Sequence, residues 1–131
     1  MAQNQKMAPW RLLVKMVELK IKFWEMALTQ LGDVIDVISE ADDYGTQTSQ
    51  LISPRMFRKI FKPRLHTLFT RIHQLAPKAK LFFHSDGNIA PLIPDLISCG
   101  FDGLAGCEPE CLDLAHLKKT YGSRLTLMTG I

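Results

Sequence analysis

The chain has 131 residues, of which 47% are hydrophobic and 22% charged, and its formal net charge is +3. This length and composition fit one globular domain with an apolar core. Residues 1–6 are polar and charged residues interrupt the apolar segment that follows, so we expect neither a signal peptide nor a membrane span. The three cysteines form no disulfide framework, which agrees with a cytoplasmic protein.

Acidic and basic residues are segregated along the chain. No Lys or Arg occurs in residues 32–54 or 81–117, whereas all the acidic residues except Glu18 and Glu25 lie there. A protein that binds nucleic acid needs Lys and Arg on the surface that meets the phosphates. Because the polar loops of this chain are acidic, we expect no nucleic-acid partner.

The first predicted elements are a long helix and a short strand. Apolar residues recur at spacings of three and four over residues 10–31, which predicts an amphipathic helix. Gly32 supplies a residue that can end the helix in the left-handed conformation. The β-branched run at residues 34–38 predicts the first strand, followed by a loop over residues 39–52.

A second helix is predicted after this loop. Ser53 is a preferred helix cap, and Pro54 suits the first helical position. The apolar pattern continues to Ile72, but Pro63 lies inside it. Since proline removes a backbone donor and collides with the preceding turn, we expect a kink or a split at this point.

The rest of the chain alternates strands with helices. Strands are predicted at residues 80–83, 101–105 and 125–128, and helices at 91–98 and 112–121. This alternation is typical of a parallel sheet, because parallel neighbours require a crossover connection. Four strands, the last without a helix after it, favour part of a larger barrel.

In parallel α/β folds, functional residues lie in the loops after the strands. The first such loop carries Glu40, Asp42 and Asp43, followed by Tyr44 and Gln47. Crowded carboxylates raise each other's pKa, which would suit one of them to act as an acid near neutral pH. The alternative is that these acids cap the next helix or face water.

The second loop begins with His84-x-Asp86. In an extended segment, alternate side chains share a side, so this imidazole and carboxylate can bind a metal, relay a proton or bind a substrate amide. Gly87 permits a sharp turn and a close backbone approach. A purely structural histidine is the alternative. The third loop carries Cys107 and Cys111, whose spacing is not that of a structural zinc site.

Four motifs in order resemble the uroporphyrinogen decarboxylase superfamily. They are DDYGTQ at residues 42–47, ISPRMF at 52–57 continuing to Pro63, FHSDGNI at 83–89, and LIPDL at 92–96. The similarity extends from about residue 20 to residue 131. The combination of the motifs is specific, whereas single motifs are not.

The resemblance implies a (β/α)8 barrel, of which residues 1–131 would be one partial domain containing roughly strands four to seven. The amino-terminal strands and the last strand would be absent. The superfamily includes heme-pathway decarboxylases and corrinoid-linked methyltransferases. The arginines with which the decarboxylases bind their acidic tetrapyrrole would belong to the missing start, so we expect the isolated chain to be inactive.

The sequence departs from both branches of the superfamily. The decarboxylases have a glycine-rich loop with a lysine where this chain has residues 84–87, and Gly-Leu-Asp-Trp where it has residues 104–107. The methyltransferases are nearer, with a zinc-binding His-x-Cys at the place of His84-x-Asp86. Asp can bind zinc through oxygen, but a thiolate ligand would be lost.

The resemblance assigns roles to nine residues. Asp43, Tyr44, His84 and Asp86 would be catalytic, with His84 and Asp86 also candidate zinc ligands; Asp42, Gln47, Ser85, Gly87 and Asn88 would contact the substrate. The substrate would be a tetrapyrrole or a methyl donor or acceptor, with a corrinoid as methyl carrier and a corrinoid protein as partner. The alternative is a non-catalytic remnant that acts as a homo-oligomeric or binding module.

Overall fold

The computed structural model describes residues 9–129, with side chains from Trp10 onward. The helices are α1 (Pro9–Leu31), α2 (Pro54–Met56), α3 (Lys62–Leu75), α4 (Ile93–Cys99) and α5 (Leu114–Tyr121), with a π-helical segment at Phe57–Phe61 and a 3-10 turn at Ala90–Leu92. The strands are β1 (Val37–Ala41), β2 (Lys80–His84), β3 (Gly103–Ala105) and β4 (Thr126–Met128). None of the described helices has the length and hydropathy of a membrane span.

The four strands form one parallel sheet in the order β1-β2-β3-β4. This arrangement confirms the prediction of a parallel α/β fold that is part of a (β/α)8 barrel. Each crossover contains a helix, and α1 and α3 pack against each other. Since every connection starts at the same edge of the sheet, the loops after the strands lie side by side.

One face of the sheet carries the hydrophobic core. Ile38, Leu81 and Leu104 are at most 2% exposed and join a core that includes residues of α1, α3, α4 and α5. On the opposite face, the edge-strand residues Val37 and Met128 remain 53% and 52% exposed, whereas Phe82 and Ala105 in the central strands are buried. The sheet is therefore a half-barrel with helices outside, and its inner face is exposed at the two edge strands of the described chain.

The first strand begins later than the sequence predicts. The residues after α1 continue into a turn, in which the backbone N–H groups of Val34 and Ile35 both donate to the Leu31 carbonyl. These donors are therefore unavailable to the sheet, and β1 starts at Val37. The strand extends to Ala41, so residues 39–41 belong to the sheet and not to the loop.

The prediction that Gly32 ends α1 in a left-handed conformation is wrong. Among the described glycines, Gly32 is not one of those with positive φ. A Cβ at this position would lie 2.6 Å from the Leu28 carbonyl oxygen and 2.8 Å from the Leu75 carbonyl oxygen. Glycine is needed here because the ends of two helices approach closely.

The split predicted at Pro63 takes the form of a π-helical segment. Ser53 caps the helix start as predicted, with its Oγ accepting from Met56 N at 3.2 Å. The backbone then widens over Phe57–Phe61, and Pro63 lies in the first turn of α3, where its missing N–H has no cost.

Asp95, in the LIPDL motif, connects α4 to this irregular helix. Its buried carboxylate accepts from Arg58 Nε at 2.8 Å and from Lys62 Nζ at 2.9 Å. Burial by itself would raise the pKa of Asp95, but the hydrogen bonds and charges of Lys62 and Arg58 outweigh it and lower the pKa. The ion pairs fix α4 against the helix that precedes the second strand.

Candidate functional site

The carboxyl ends of the four strands are aligned. Ala41 pairs with His84, His84 with Ala105, and Ala105 with Met128, so the last residues of the strands form one row. The loops that follow β1, β2 and β3 consequently start at the same level. This register brings the predicted first and second loops together.

The most reactive groups of these two loops converge on one point. Asp43, His84 and Asp86 each offer a ligand atom, and the three atoms all lie within 4.8 Å of one another. His84 Nε2 is 3.3 Å from Asp86 Oδ1, and the Asp86 backbone N–H donates to Asp43 Oδ1 at 3.0 Å. We call these three side chains the Asp-His-Asp cluster.

The Asp-His-Asp cluster is partly exposed to solvent. The side chains of His84 and Asp86 are 40% and 52% exposed, while His84 is anchored as the last residue of β2. An imidazole nitrogen and two carboxylates are ligands that zinc and other first-row divalent metals accept. The donor set therefore fits a metal with three protein ligands and an open coordination position.

The cysteines are engaged elsewhere. The sulfurs of Cys99 and Cys107 are buried and donate to the backbone carbonyls of Lys62 and Leu104. Cys111 Sγ donates to Glu108 Oε2 at 3.0 Å, and the metal-ligand cluster found among the described residues contains no cysteine. Among the described residues, the candidate metal-ligating group therefore comes from the oxygen and nitrogen donors of the first two loops.

The remaining residues of the second loop connect it to the first. Ser85 is fully buried, and its Oγ accepts from Tyr44 N at 3.0 Å. Asn88 N donates to the Thr46 carbonyl at 2.7 Å, and the Asn88 carbonyl accepts from Gln50 Nε2 at 3.1 Å. These contacts give Ser85 and Asn88 a positioning role; their predicted contact with substrate stays a prediction.

Gly87 allows the two loops to touch. Its φ is +78°, and a Cβ there would lie 2.6 Å from the Thr46 carbonyl oxygen. Gly45, facing it, has Asp86 O only 2.7 Å from the position of a Cβ. The close approach of two backbones requires both glycines, which accounts for glycine in both motifs.

Tyr44 lies in the core below the cluster. Its ring is stacked on Phe83 at 5.9 Å between centroids and makes edge contacts with Phe57 and Phe61 at 5.3 and 5.5 Å. Burial, followed by the negative charge and hydrogen bonding of Asp42, raises the pKa of Tyr44 far above its ordinary value. Tyr44 therefore stays protonated at neutral pH and is not a general base there.

The carboxylates of the first loop do not form the single crowded group that the sequence suggests. Glu40, the fourth residue of β1, points toward the helices, where it accepts hydrogen bonds from Lys20 Nζ at 2.6 Å and from Trp24 Nε1. Asp42 lies 3.7 Å from the same Lys20, whereas Asp43 faces the second loop. Glu40 lies on the core-facing side of β1, whereas Asp43 lies beyond the end of the strand, in the loop. Gln47 is exposed on the same loop.

A cavity that the sequence does not reveal adjoins this loop. It encloses about 290 Å³ between α1, the first loop and α3, and Asp43 and Tyr44 are part of its lining. Its walls are mostly apolar, with Lys20 and Arg64 adding positive charge. Arg64 Nε is buried and has no hydrogen-bond partner within residues 9–129. Helical periodicity marks these residues only as core and surface positions, so no sequence signal identifies the cavity.

The third loop contributes Gly106, which sequence reasoning did not single out. Gly106 directly follows β3, has a φ of +76° and faces the Asp-His-Asp cluster. The only available signal was a glycine at the carboxyl end of a strand, where backbone commonly approaches a functional group.

The parallel half-barrel, with polar side chains gathered at the carboxyl ends of its strands, belongs to the (β/α)8-barrel fold class. The sequence model of the family described as uroporphyrinogen decarboxylase (URO-D) matches residues 4–129. The chain is thus a member of the uroporphyrinogen decarboxylase family, which confirms the resemblance of its motifs.

Two similar proteins are methyltransferases. The methylcobamide:CoM methyltransferase of Methanosarcina barkeri is 30% identical over 96 residues, which are 73% of this chain and 26% of that protein. The solved structure of a methyltransferase from Methanosarcina mazei superimposes with a TM-score of 0.62 at 26% identity, covering 85% of this chain and 30% of that one. The chain therefore spans less than a third of the length of either relative.

Proposed function

We propose that this chain forms part of a single barrel domain of an enzyme that transfers a methyl group between a corrinoid and a small acceptor. The observation that carries the proposal is the Asp-His-Asp cluster, whose ligand atoms lie within 4.8 Å of one another at the edge where barrels place their sites. The similarity to two methyltransferases supports transfer over decarboxylation. A corrinoid protein is the partner that we propose as the carrier of the methyl group.

In this proposal, His84, Asp86 and Asp43 bind one divalent metal, and zinc is the metal that the family suggests. A bound zinc ion would supply Lewis acidity, which would lower the pKa of a thiol or water bound to it. The Asp43 carboxylate is oriented by the hydrogen bond that it accepts from the Asp86 backbone N–H, and His84 is held by the end of β2. The two loops thus present their ligands from backbone that is already fixed.

The other residues of the two loops support this arrangement. Ser85, Gly87 and Asn88 connect the loops, so that Asp43 and Asp86 remain at hydrogen-bond distance. The protonated Tyr44 hydroxyl donates to Asp42 at 3.5 Å, and the Tyr44 ring lies between the two loops and the hydrophobic core. Asp42 and Gln47, both exposed, remain available to a substrate.

Metal binding by the chain tests the ligand assignment. We expect Co²⁺ and Zn²⁺ titrations, followed by absorption and calorimetry, to give one site per chain in the wild type. H84A, D86A and D43A should each lower the affinity by about tenfold or more, because each removes a ligand. H66A and D36A are matched controls, since both residues are exposed and lie outside the cluster. Unchanged affinity in the three ligand variants would refute the metal site.

The reaction is tested in the intact barrel protein that contains this sequence. We expect methyl transfer from methylcobalamin to a small thiol, with loss of turnover in H84A and D86A and normal turnover in H66A. Decarboxylation of uroporphyrinogen in the same preparation, without methyl transfer, would assign the protein to the other branch of the family.

The exposed edge strands of the sheet favour a second candidate function, that of a module that associates with other chains. Val37 and Met128 leave apolar surface exposed on the inner face, and β1 and β4 are edge strands in the described chain. Such edges and faces promote association. Light scattering on the purified chain tests this candidate, and a monodisperse monomer with cooperative unfolding would contradict it.

A further inference from the structure

Gly106 approaches the Asp-His-Asp cluster from the third loop. A Cβ built on Gly106 would lie 2.9 Å from Asp86 Oδ1, 2.9 Å from His84 Cε1 and 3.0 Å from His84 Nδ1. Non-bonded contacts of a Cβ atom shorter than 3.0 Å essentially do not occur in proteins, so a side chain at this position would displace the imidazole or the carboxylate. The atoms in conflict are side-chain atoms of two proposed ligands, not backbone.

We propose that Gly106 is a positioning residue of the metal site, and that the missing side chain at residue 106 keeps His84 and Asp86 in their ligating arrangement. This inference rests on the metal site proposed above and adds the third loop to it. Gly106 touches neither the metal nor the substrate in this role. It acts by leaving the space that the two ligands occupy.

The packing at Gly106 explains why the effect should be local. Its neighbour Ala105 is the last residue of β3 and pairs with both His84 and Met128, so the backbone of residue 106 is fixed relative to the second loop. His84 and Asp86 are 40% and 52% exposed and can turn toward solvent. A new methyl group would therefore push the two side chains outward while the sheet remains in place.

Gly100 supplies the matched control. Its φ of +103° is also in the left-handed region, so alanine introduces backbone strain there as it does at Gly106. A Cβ at Gly100, however, meets only the side chain of His73, at 3.8 Å, which is ordinary contact. G100A reproduces the strain of G106A without touching the cluster.

The experiment compares Co²⁺ and Zn²⁺ affinity in wild type, G106A and G100A, together with urea unfolding of each metal-free protein. We expect G106A to bind metal about 10- to 100-fold more weakly than wild type, the size typical of changes around a metal site. G100A should bind as wild type does. In metal-free G106A, an NMR cross-peak between the introduced methyl group and the His84 ring proton reports the contact directly.

G106N is a second variant for the case in which backbone strain unfolds G106A, because asparagine tolerates the left-handed backbone conformation. G106N should fold at least as well as G106A and lose metal affinity by the same reasoning. Wild-type affinity in a folded G106A or G106N would overturn the role of Gly106 and leave the metal site intact. A wild-type chain that binds no metal would overturn the site itself, and this inference with it.

Discussion

Replacing Ser85 by alanine tests whether this residue fixes the loops of the site. Ser85 is fully buried, and its Oγ accepts the backbone N–H of Tyr44 at 3.0 Å, across forty-one positions of sequence. In S85A this N–H loses its partner in a place that water does not reach. We therefore expect S85A to lower the free energy of unfolding.

The magnitude follows from the buried donor. An unsatisfied buried donor costs about 1–3 kcal/mol, and removal of one hydroxyl from a packed site adds little volume change. S98A makes the same chemical change on α4, where the hydroxyl donates to the Asp95 carbonyl near the surface. We expect S98A to cost less than about 1 kcal/mol.

The assay is urea unfolding followed by tryptophan fluorescence, with S85A and S98A measured against the wild type. An S85A protein as stable as S98A would refute the argument, because it would mean that water or another acceptor replaces the hydroxyl. A loss of stability with unchanged metal affinity would assign Ser85 to the support of the loops alone.

Three further predictions concern titration and packing. The lowered pKa of Asp95 means that its ion pairs stabilise the fold above the unfolded value of about 3.9, and that this contribution disappears as the pH falls through the lower folded value. D95N should lower the free energy of unfolding by about 1–3 kcal/mol at neutral pH, and this free energy should then fall less steeply as the pH is lowered. An unchanged slope at acidic pH would contradict the ion pairs of Asp95. The hydrogen bond to Glu108, then burial and nearby acids, raise the pKa of Cys111 to about 11. E108Q should therefore increase the rate at which Cys111 is alkylated at pH 8, as measured by mass spectrometry. Cys107 is the internal control, because it is buried and should stay unmodified. Y44F should change stability by less than about 1 kcal/mol and Y44A should cost about 3–5 kcal/mol in urea unfolding, since the ring and not the hydroxyl makes the packing contacts; equal losses would show that the hydroxyl carries the stability.

Periodicity predicted the alternation of helices and strands correctly, because each element is marked by its own residues. The cap at Ser53 and the disruption at Pro63 depend on a few neighbouring residues, and both occur at the predicted places. The start of β1 lies later than the sequence predicts, because the backbone N–H groups of Val34 and Ile35 donate to the turn after α1. A strand boundary depends on competition for hydrogen bonds, which local pattern does not record.

The site was predictable in part. Polar residues after two parallel strands indicated Asp43, His84 and Asp86, because the register of a parallel sheet places such loops together. The same reasoning grouped Glu40 with Asp43, although β1 extends far enough to turn Glu40 toward Lys20 and Trp24. Inside a strand the two-residue alternation fixes the face of each side chain, and the sequence placed Glu40 in the loop, where this alternation does not apply.

The sequence by itself determined the family, the parallel architecture and the residue types of the cluster, since each is encoded in short stretches of chain. Only the tertiary structure decided that Tyr44 lies in the core, that Ser85 connects two loops, and that Gly106 faces His84 and Asp86. Ser85 and Tyr44 are 41 positions apart in the sequence, and Gly106 follows the second loop, so these distances depend on the pairing of separate strands. Short stretches of sequence determine which polar residues follow each strand, and the register of the sheet brings those residues together.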